Sequence, residues 1–344
     1  MKKILVVFTG GTIGSRIHNT TIDVYDEAGY FLLKSFQDKY NYEVEFEAIQ
    51  PLNILSENVT PDHWKVLYDS MNEVDMSKYD GVIVTHGSDT LAYSSAIISF
   101  LFHYTQIPIV VTASNYALEH IKSNGMVNFR SSVDFVMNCA LPGVFTIYQN
   151  DKGNNMVYLA SRIMESDSYN DQYFSYGGEV FGEVKEGNFI YKTNRVNPAL
   201  ESFNTSRERL VKEDISFANR VLAIRPYPGL NYDYFTLSNK PKAILHSLYH
   251  SSTGCTSEFE YSLPKFIKRC KEEGIDFYLI SFKNVDSDLY RTSKELLEAG
   301  AIPLQNISFE AAYAKLVIAY NQTTRPPKDY VLKELFYEFL PKPV

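Results

Sequence analysis

Two short segments set hydroxyl side chains beside glycines in a pattern that suits nucleophilic chemistry. The first is Thr9-Gly10-Gly11-Thr12-Ile13-Gly14, directly after the apolar run Ile4–Phe8. Adjacent glycines let backbone N–H groups approach a ligand closely and point at an oxyanion, and Thr12 adds a hydroxyl at the same spot. A tight turn or a loose dinucleotide loop is the plainer explanation, but G-G-T-I-G is not G-x-G-x-x-G and no clean helix start follows it. The second segment is Val84-Thr85-His86-Gly87-Ser88-Asp89-Thr90. Here Ser88 is a potential nucleophile, Asp89 a potential anchor for an ammonium group, and Thr90 a cap for the next helix. Ser, Asp and Thr at a helix start are common for structural reasons alone. Their pairing with the first loop favours chemistry: two hydroxyl-bearing glycine loops at the ends of strands in one sheet can face one substrate. An alcohol is a weak nucleophile without a base or a strong local field, and the oxyanion it creates needs preorganised donors.

The composition narrows what that substrate is. With 33 basic and 41 acidic residues among 344, the formal charge is −8. Such a chain has no electrostatic footprint for wrapping nucleic acid or an anionic membrane, so neither is an expected partner. A hydrophobic share of 45% with 22% charged residues is that of a globular protein rather than a disordered one. The run Ile4–Phe8 behind two lysines is too short for a secretory or membrane-spanning segment, and no other apolar stretch is long enough to span a bilayer. Cys139, Cys255 and Cys270 are widely spaced without a CxxC pair and read as free thiols of a cytoplasmic protein. His86 stands alone and there is no HxxEH or CxxC cluster, so no metal site is expected from the spacing.

The elements that must position these loops alternate. Ile4–Phe8, Val44–Ile49, Gly81–Thr85, Ile107–Ala113 and Gly143–Tyr148 read as strands. Four are near-continuous apolar runs, as in a parallel sheet covered on both faces, while Val44–Ile49 alternates with Glu like an edge. Pro61–Asn72, Asp89–Tyr104 and Gly125–Met137 have helical spacing, with Thr60 as N-cap and Pro61 in the first turn. The fold class expected is α/β: a larger N-terminal, doubly wound, mostly parallel domain over 1–200, a polar connection over 201–219, and a smaller C-terminal α/β domain over 220–344. In the latter, 220–225, 242–248 and 277–282 read as strands and 264–273, 292–299 and 308–320 as helices. A last helix near 327–340 is expected to pack on the second domain.

T-G-G-T-I-G and T-H-G-S-D-T together closely resemble the two signatures of the bacterial L-asparaginase (asparaginase/glutaminase) family, in its cytosolic type I branch. Leu55-Ser56-Glu57-Asn58-Val59-Thr60-Pro61-Asp62-His63-Trp64 looks like that family's substrate-carboxylate loop, and Tyr227-Pro228-Gly229 and Glu310–Leu316 resemble its second domain. The resemblance implies hydrolysis of the asparagine side-chain amide without metal or cofactor, in a homodimer or homotetramer. Carried over by position, Thr12 matches the nucleophile, Ser88 stands where a second catalytic threonine is usual, and Asp89 matches the holder of the substrate ammonium. Ser56 and Glu57 match the residues at the substrate's α-carboxylate and α-amino end, while Gly11, Gly87 and Ala113 line the pocket through backbone groups. Tyr25 has the offset of a lid tyrosine.

One departure bears on mechanism. Aligning Ser161-Arg162-Ile163-Met164-Glu165 puts Glu165 where the family has an activating lysine. A carboxylate cannot supply that positive charge, so either Glu165 is protonated or serves as a base, or Arg162 or Lys122 brings the cation, or that half of the machinery has changed. The expected activity is therefore L-asparagine amidohydrolysis. Two alternatives are an amidohydrolase shifted to glutamine, D-asparagine or an asparaginyl peptide, and a degenerate homologue that binds an amino acid without turning it over.

Overall fold

Apolar runs in the first half of the chain become adjacent strands of one sheet, and burial on both faces accounts for their composition. A computed structural model describes residues 1–18, 21–24, 28–211, 215–282 and 289–341. They form two compact units, Met1–Glu213 with Leu335–Tyr337, and Asp214–Glu334 with Glu338–Val344.

The first unit runs β1 (Lys2–Phe8), β2 (Ser15–His18), β3 (Thr21–Val24), α1 (Ala28–Lys39), β4 (Val44–Ile49), α2 (Pro61–Asn72), β5 (Gly81–Thr85), α3 (Leu91–Leu101), β6 (Pro108–Thr112), α4 (Gly125–Asn138) and β7 (Gly143–Gln149). It continues through β8 (Asn155–Leu159), β9 (Ile163–Met164), β10 (Phe174–Ser175), β11 (Gly182–Lys185) and β12 (Asn188–Tyr191). The main sheet has the order β12-β11-β8-β7-β6-β5-β1-β4. Pairing from β7 to β4 is parallel, and the β8, β11 and β12 extension is antiparallel. Ile4–Val7, Val82–Val84 and Ile109–Val111 are fully buried, whereas edge strand β4 turns Glu45 and Glu47 outward to pair with Lys3. α3 is apolar nearly all round because it is buried nearly all round. The Trp64 indole N–H donates to Ser94 Oγ at 2.9 Å and ties α2 to α3.

Strand order fixes where a ligand can sit. β1 lies between β4 and β5, so successive crossovers leave it in opposite directions. In doubly wound sheets the crevice beyond the carboxyl ends of such a pair is the open one. The Thr9–Thr12 and Thr85–Asp89 loops leave from those two ends.

The second unit contains β13 (Val221–Ile224), β14 (Ala243–Ser247), α5 (Leu263–Glu272), β15 (Asp276–Phe282), α6 (Arg291–Glu298), β16 (Ile302–Gln305), α7 (Phe309–Ala319) and α8 (Pro327–Leu332). Its four strands pair in parallel in sequence order around a core that includes Ile244, Ile267, Leu279 and Leu296. Ser262 and Ser308 cap α5 and α7 by accepting from the N–H of Lys265 and Ala311.

The units divide at 213/214, inside the stretch 201–219 expected to connect them; Phe203 of that stretch is buried and stacks 5.8 Å from Phe145. One expectation needs correction. The final helix stops at Leu332, and residues 335–337 return to the first unit rather than staying with the second. There Phe336 packs edge-on against Phe145 and Phe203, and Ser161 Oγ donates to its carbonyl. Burial of an aromatic side chain outweighs continuation of a helix. Among the described residues no helix is long and apolar enough to cross a membrane.

His246 on β14 is fully buried beside Tyr232, whose hydroxyl lies 3.0 Å from its Nε2. Burial lowers its pKa to about 4 from the ordinary 6.5. The unfolded histidine takes up a proton near pH 6.5 and the folded one only near 4, so stability falls as pH drops through that window and the loss is complete below it. Urea unfolding at pH 7 and pH 4 should show a loss that includes about 3 kcal/mol from this group. In His246→Gln the difference between the two pH values should shrink by a similar amount, and an unchanged difference would contradict a buried neutral imidazole.

Candidate active site

Three loops interlock at the carboxyl ends of β1 and β5. The Thr9 N–H and hydroxyl both donate to the Thr85 carbonyl, at 3.2 and 2.9 Å, which staples the two strand ends together. Gly11 takes φ +72°, and a Cβ built there would lie 2.4 Å from Gly87 Cα and N. Gly87 in turn has no room for a side chain, because its Cβ would lie 2.4 Å from Ser56 Cβ and Oγ. The Gly11 N–H donates to the Ile54 carbonyl at 2.8 Å. Gly11 thus serves close packing, and that N–H is spent inside the protein instead of lining a pocket as a donor. Since Gly11 and Gly87 touch, two Cα–Cα steps of about 3.8 Å keep the Cα atoms of Thr12 and Ser88 within roughly 12 Å of each other.

Ser56 is 3% exposed and bonds to Asp89 twice: its Oγ accepts from the Asp89 N–H at 3.3 Å and lies 3.4 Å from Oδ2. Thr90 does not cap α3 through its side chain; its hydroxyl donates to the Ser56 carbonyl at 3.0 Å. The Ser88 carbonyl accepts a 2.6 Å hydrogen bond from the Tyr173 hydroxyl. His86 is buried, with Nδ1 2.8 Å from the Gly87 carbonyl, and burial holds its pKa below the usual histidine value. It is therefore neutral at pH 7, with its Nδ1 engaged by a backbone carbonyl.

Ser88, Asp89 and Glu165 meet at one cavity of ≈ 320 Å³, whose wall also includes Tyr148, Asp171 and Tyr173. Glu165 reaches it because β9 ends at Met164. Thr12 is half-buried on the short helical turn Thr12–Gly14. Glu57 and Asp89 are exposed. Ala113 is fully buried, its carbonyl accepting from the Asn128 side-chain amide at 2.8 Å. Tyr25 lies outside the described residues. Neither proposed substitute for the lysine stands at the cavity as a free cation. Arg162 is buried and donates to the carbonyls of Tyr337 and Val196, and Lys122 is exposed. Among the described residues no group of three His, Cys, Asp or Glu side chains is arranged to hold a metal ion.

Sequence reasoning missed Tyr173 and Asp171. Both come from the segment between β9 and β10, and no local spacing ties that segment to the Ser88 loop. Asp171 is held there by the Asn115 side-chain amide at 2.7 Å.

The family model "Asparaginase, N-terminal" matches residues 3–197. A glutamyl-tRNA(Gln) amidotransferase subunit of Aeropyrum pernix is 26% identical over 330 residues, covering 92% of this chain and 74% of the relative. The protein of the same name from Saccharolobus solfataricus is 25% identical over 352 residues, covering 99% and 77%. Among solved structures, the thermostable L-asparaginase of Thermococcus kodakarensis superposes with a TM-score of 0.80 at 21% identity, over 98% of this chain and 99% of that one. L-asparaginase I of Vibrio cholerae gives 0.78 at 22% identity, over 98% and 99%. The probable cytoplasmic L-asparaginase of Campylobacter jejuni gives 0.73 at 18% identity, over 97% and 100%. These likenesses establish a common fold.

Gly11→Ala should destabilise more than Gly153→Ala. Both glycines have positive φ, +72° and +79°, but an added Cβ at Gly153 meets nothing within 4 Å. Backbone strain alone costs about 1–2 kcal/mol, and the clash at Gly11 adds to it. Equal unfolding midpoints for the two variants in denaturant would refute the close contact.

Proposed function

Because the chain belongs to the asparaginase family, whose members are amidohydrolases, we propose that it hydrolyses the side-chain amide of L-asparagine to aspartate and ammonia. The observation that carries this reading is the single cavity shared by Ser88, Asp89 and Glu165, with the Gly11 turn packed on Gly87 beside it.

In this reaction Thr12 Oγ1 attacks the amide carbon. Its proton passes to the amide nitrogen, the C–N bond breaks, ammonia leaves and an ester to Thr12 remains. Water activated at the Ser88 hydroxyl, with Glu165 as proton acceptor, then attacks the ester, which releases aspartate and restores the threonine. Asp89 and Glu57 hold the α-ammonium group, and Ser56 orients Asp89 through its hydroxyl. A lysine-free second step is chemically sufficient, since Glu165 and Ser88 line one cavity and a carboxylate that comes within hydrogen-bonding reach of a hydroxyl or water is a competent general base. His86, neutral and engaged with the Gly87 carbonyl, takes no part. The enzyme works in the cytoplasm as a homodimer or homotetramer.

A second reading is glutamine amide hydrolysis. Its support is that the relatives from Aeropyrum pernix and Saccharolobus solfataricus bear the name of a glutamyl-tRNA(Gln) amidotransferase component and align over nearly the whole chain.

Ammonia release from L-asparagine, L-glutamine, D-asparagine and an asparaginyl peptide distinguishes these readings. L-Asparagine should have the highest kcat/KM, and Thr12→Ala and Ser88→Ala should each lower kcat by about 100-fold or more. Glutamine ranking first would move the assignment to the second reading. Wild-type rates in Thr12→Ala would remove that residue from the mechanism, and binding without turnover of any of the four would make the protein a binder.

A further inference from the structure

The Ser88 carbonyl and the Asp89 N–H belong to one planar trans peptide and point to opposite sides of it. Each side is held by a different part of the fold. On one, the Asp89 N–H donates to Ser56 Oγ at 3.3 Å. On the other, the Tyr173 hydroxyl donates to the Ser88 carbonyl at 2.6 Å. The Leu91 N–H also reaches that carbonyl, at 3.3 Å, as part of the turn into α3. The shorter bond from Tyr173 is therefore the one that comes from outside the loop. We propose that Tyr173 is a positioning residue: with Ser56 it clamps the peptide that joins Ser88 to Asp89, and so sets the direction of the Ser88 hydroxyl in the cavity.

Tyr173 is built to be rigid. It is 2% exposed and its ring meets that of Tyr148 edge-on at 4.7 Å. Its own carbonyl accepts from the Tyr158 hydroxyl at 3.1 Å. Tyr148 and Tyr158 sit on β7 and β8, so the main sheet anchors Tyr173 from below. A buried hydroxyl is costly unless it is satisfied, and this one is spent on a carbonyl next to a reactive side chain. Burial, and after it the nearby Tyr148, Asp89 and Asp171, keep the phenol protonated far above the ordinary tyrosine range, so it remains a donor. The same residue leads into β10, which pairs with β9, the strand that delivers Glu165. One side chain thereby ties the Glu165 wall of the cavity to the Ser88 loop.

The kinetic arm of the test rests on the amidohydrolase reading above, and the structural arm does not. Tyr173→Phe should lower kcat for ammonia release about 10-fold or more while KM stays within about 3-fold, because Ser56 still holds Asp89. Ser56→Ala should instead raise KM. Tyr191→Phe removes a tyrosine hydroxyl that donates to the Pro198 carbonyl away from this cavity, and should leave kcat within about 3-fold. A crystal structure of Tyr173→Phe should show the Ser88–Asp89 peptide rotated from its wild-type plane. If Tyr173→Phe does not fold, Tyr173→Met, which adapts to irregular cavities, takes its place in both arms. An unmoved peptide, or a kcat equal to that of wild type, overturns the proposal. Should the wild type release no ammonia from any amide, the functional reading fails and the peptide's orientation alone decides this one.

Discussion

The architecture of the candidate site depends on a contact between backbones that leaves no room for side chains. Gly11 and Gly87 touch where β1 and β5 end, and Ser56 fills the space on the far side of Gly87. A single Cβ at Gly11 would need to overlap main-chain atoms that cannot retreat, because Thr9 is bonded to Thr85 and Gly11 to Ile54. Three segments that are distant in sequence therefore form one rigid rim at the switch point of the sheet. Side chains that leave this rim, those of Thr12, Ser56, Ser88 and Asp89, inherit its precision.

Rigid support matters because hydroxyl chemistry tolerates little positional error. Ser88 and Asp89 are carried by one peptide held from both sides, by Ser56 and by Tyr173. The opposite wall comes from the stretch after β9, and Tyr173 spans from that wall to the Ser88 loop. In the second unit, polar burial is paired as well: Lys315 and Glu338 form a fully buried ion pair, and His246 rests against Tyr232. Groups buried in this way give specificity of packing, and removing either partner leaves an uncompensated polar atom.

Much of this was legible in the residues. The apolar runs of β1, β5, β6 and β7 are continuous because both faces of the sheet are covered, and β4 alternates because it is an edge. Strands β8, β11 and β12 escape a reading by periodicity, since antiparallel pairing at the polar end of the sheet depends on distant partners. The short strand β16 escapes it because four residues hold too little pattern. Segment 335–337 reads as part of the wrong unit: its aromatic residues reveal that they will be buried, but not against what.

For the site, the chain order alone determined that two glycine and hydroxyl loops follow two strands. Such features are local, written in neighbouring residues. Only the folded chain decided that Ser56 bonds to Asp89, that Arg162 is consumed by backbone carbonyls, and that Tyr173 grips the Ser88 peptide. Each of these joins residues more than thirty positions apart. No periodicity encodes such pairs; sheet order and the lengths of the crossovers bring them within hydrogen-bonding distance.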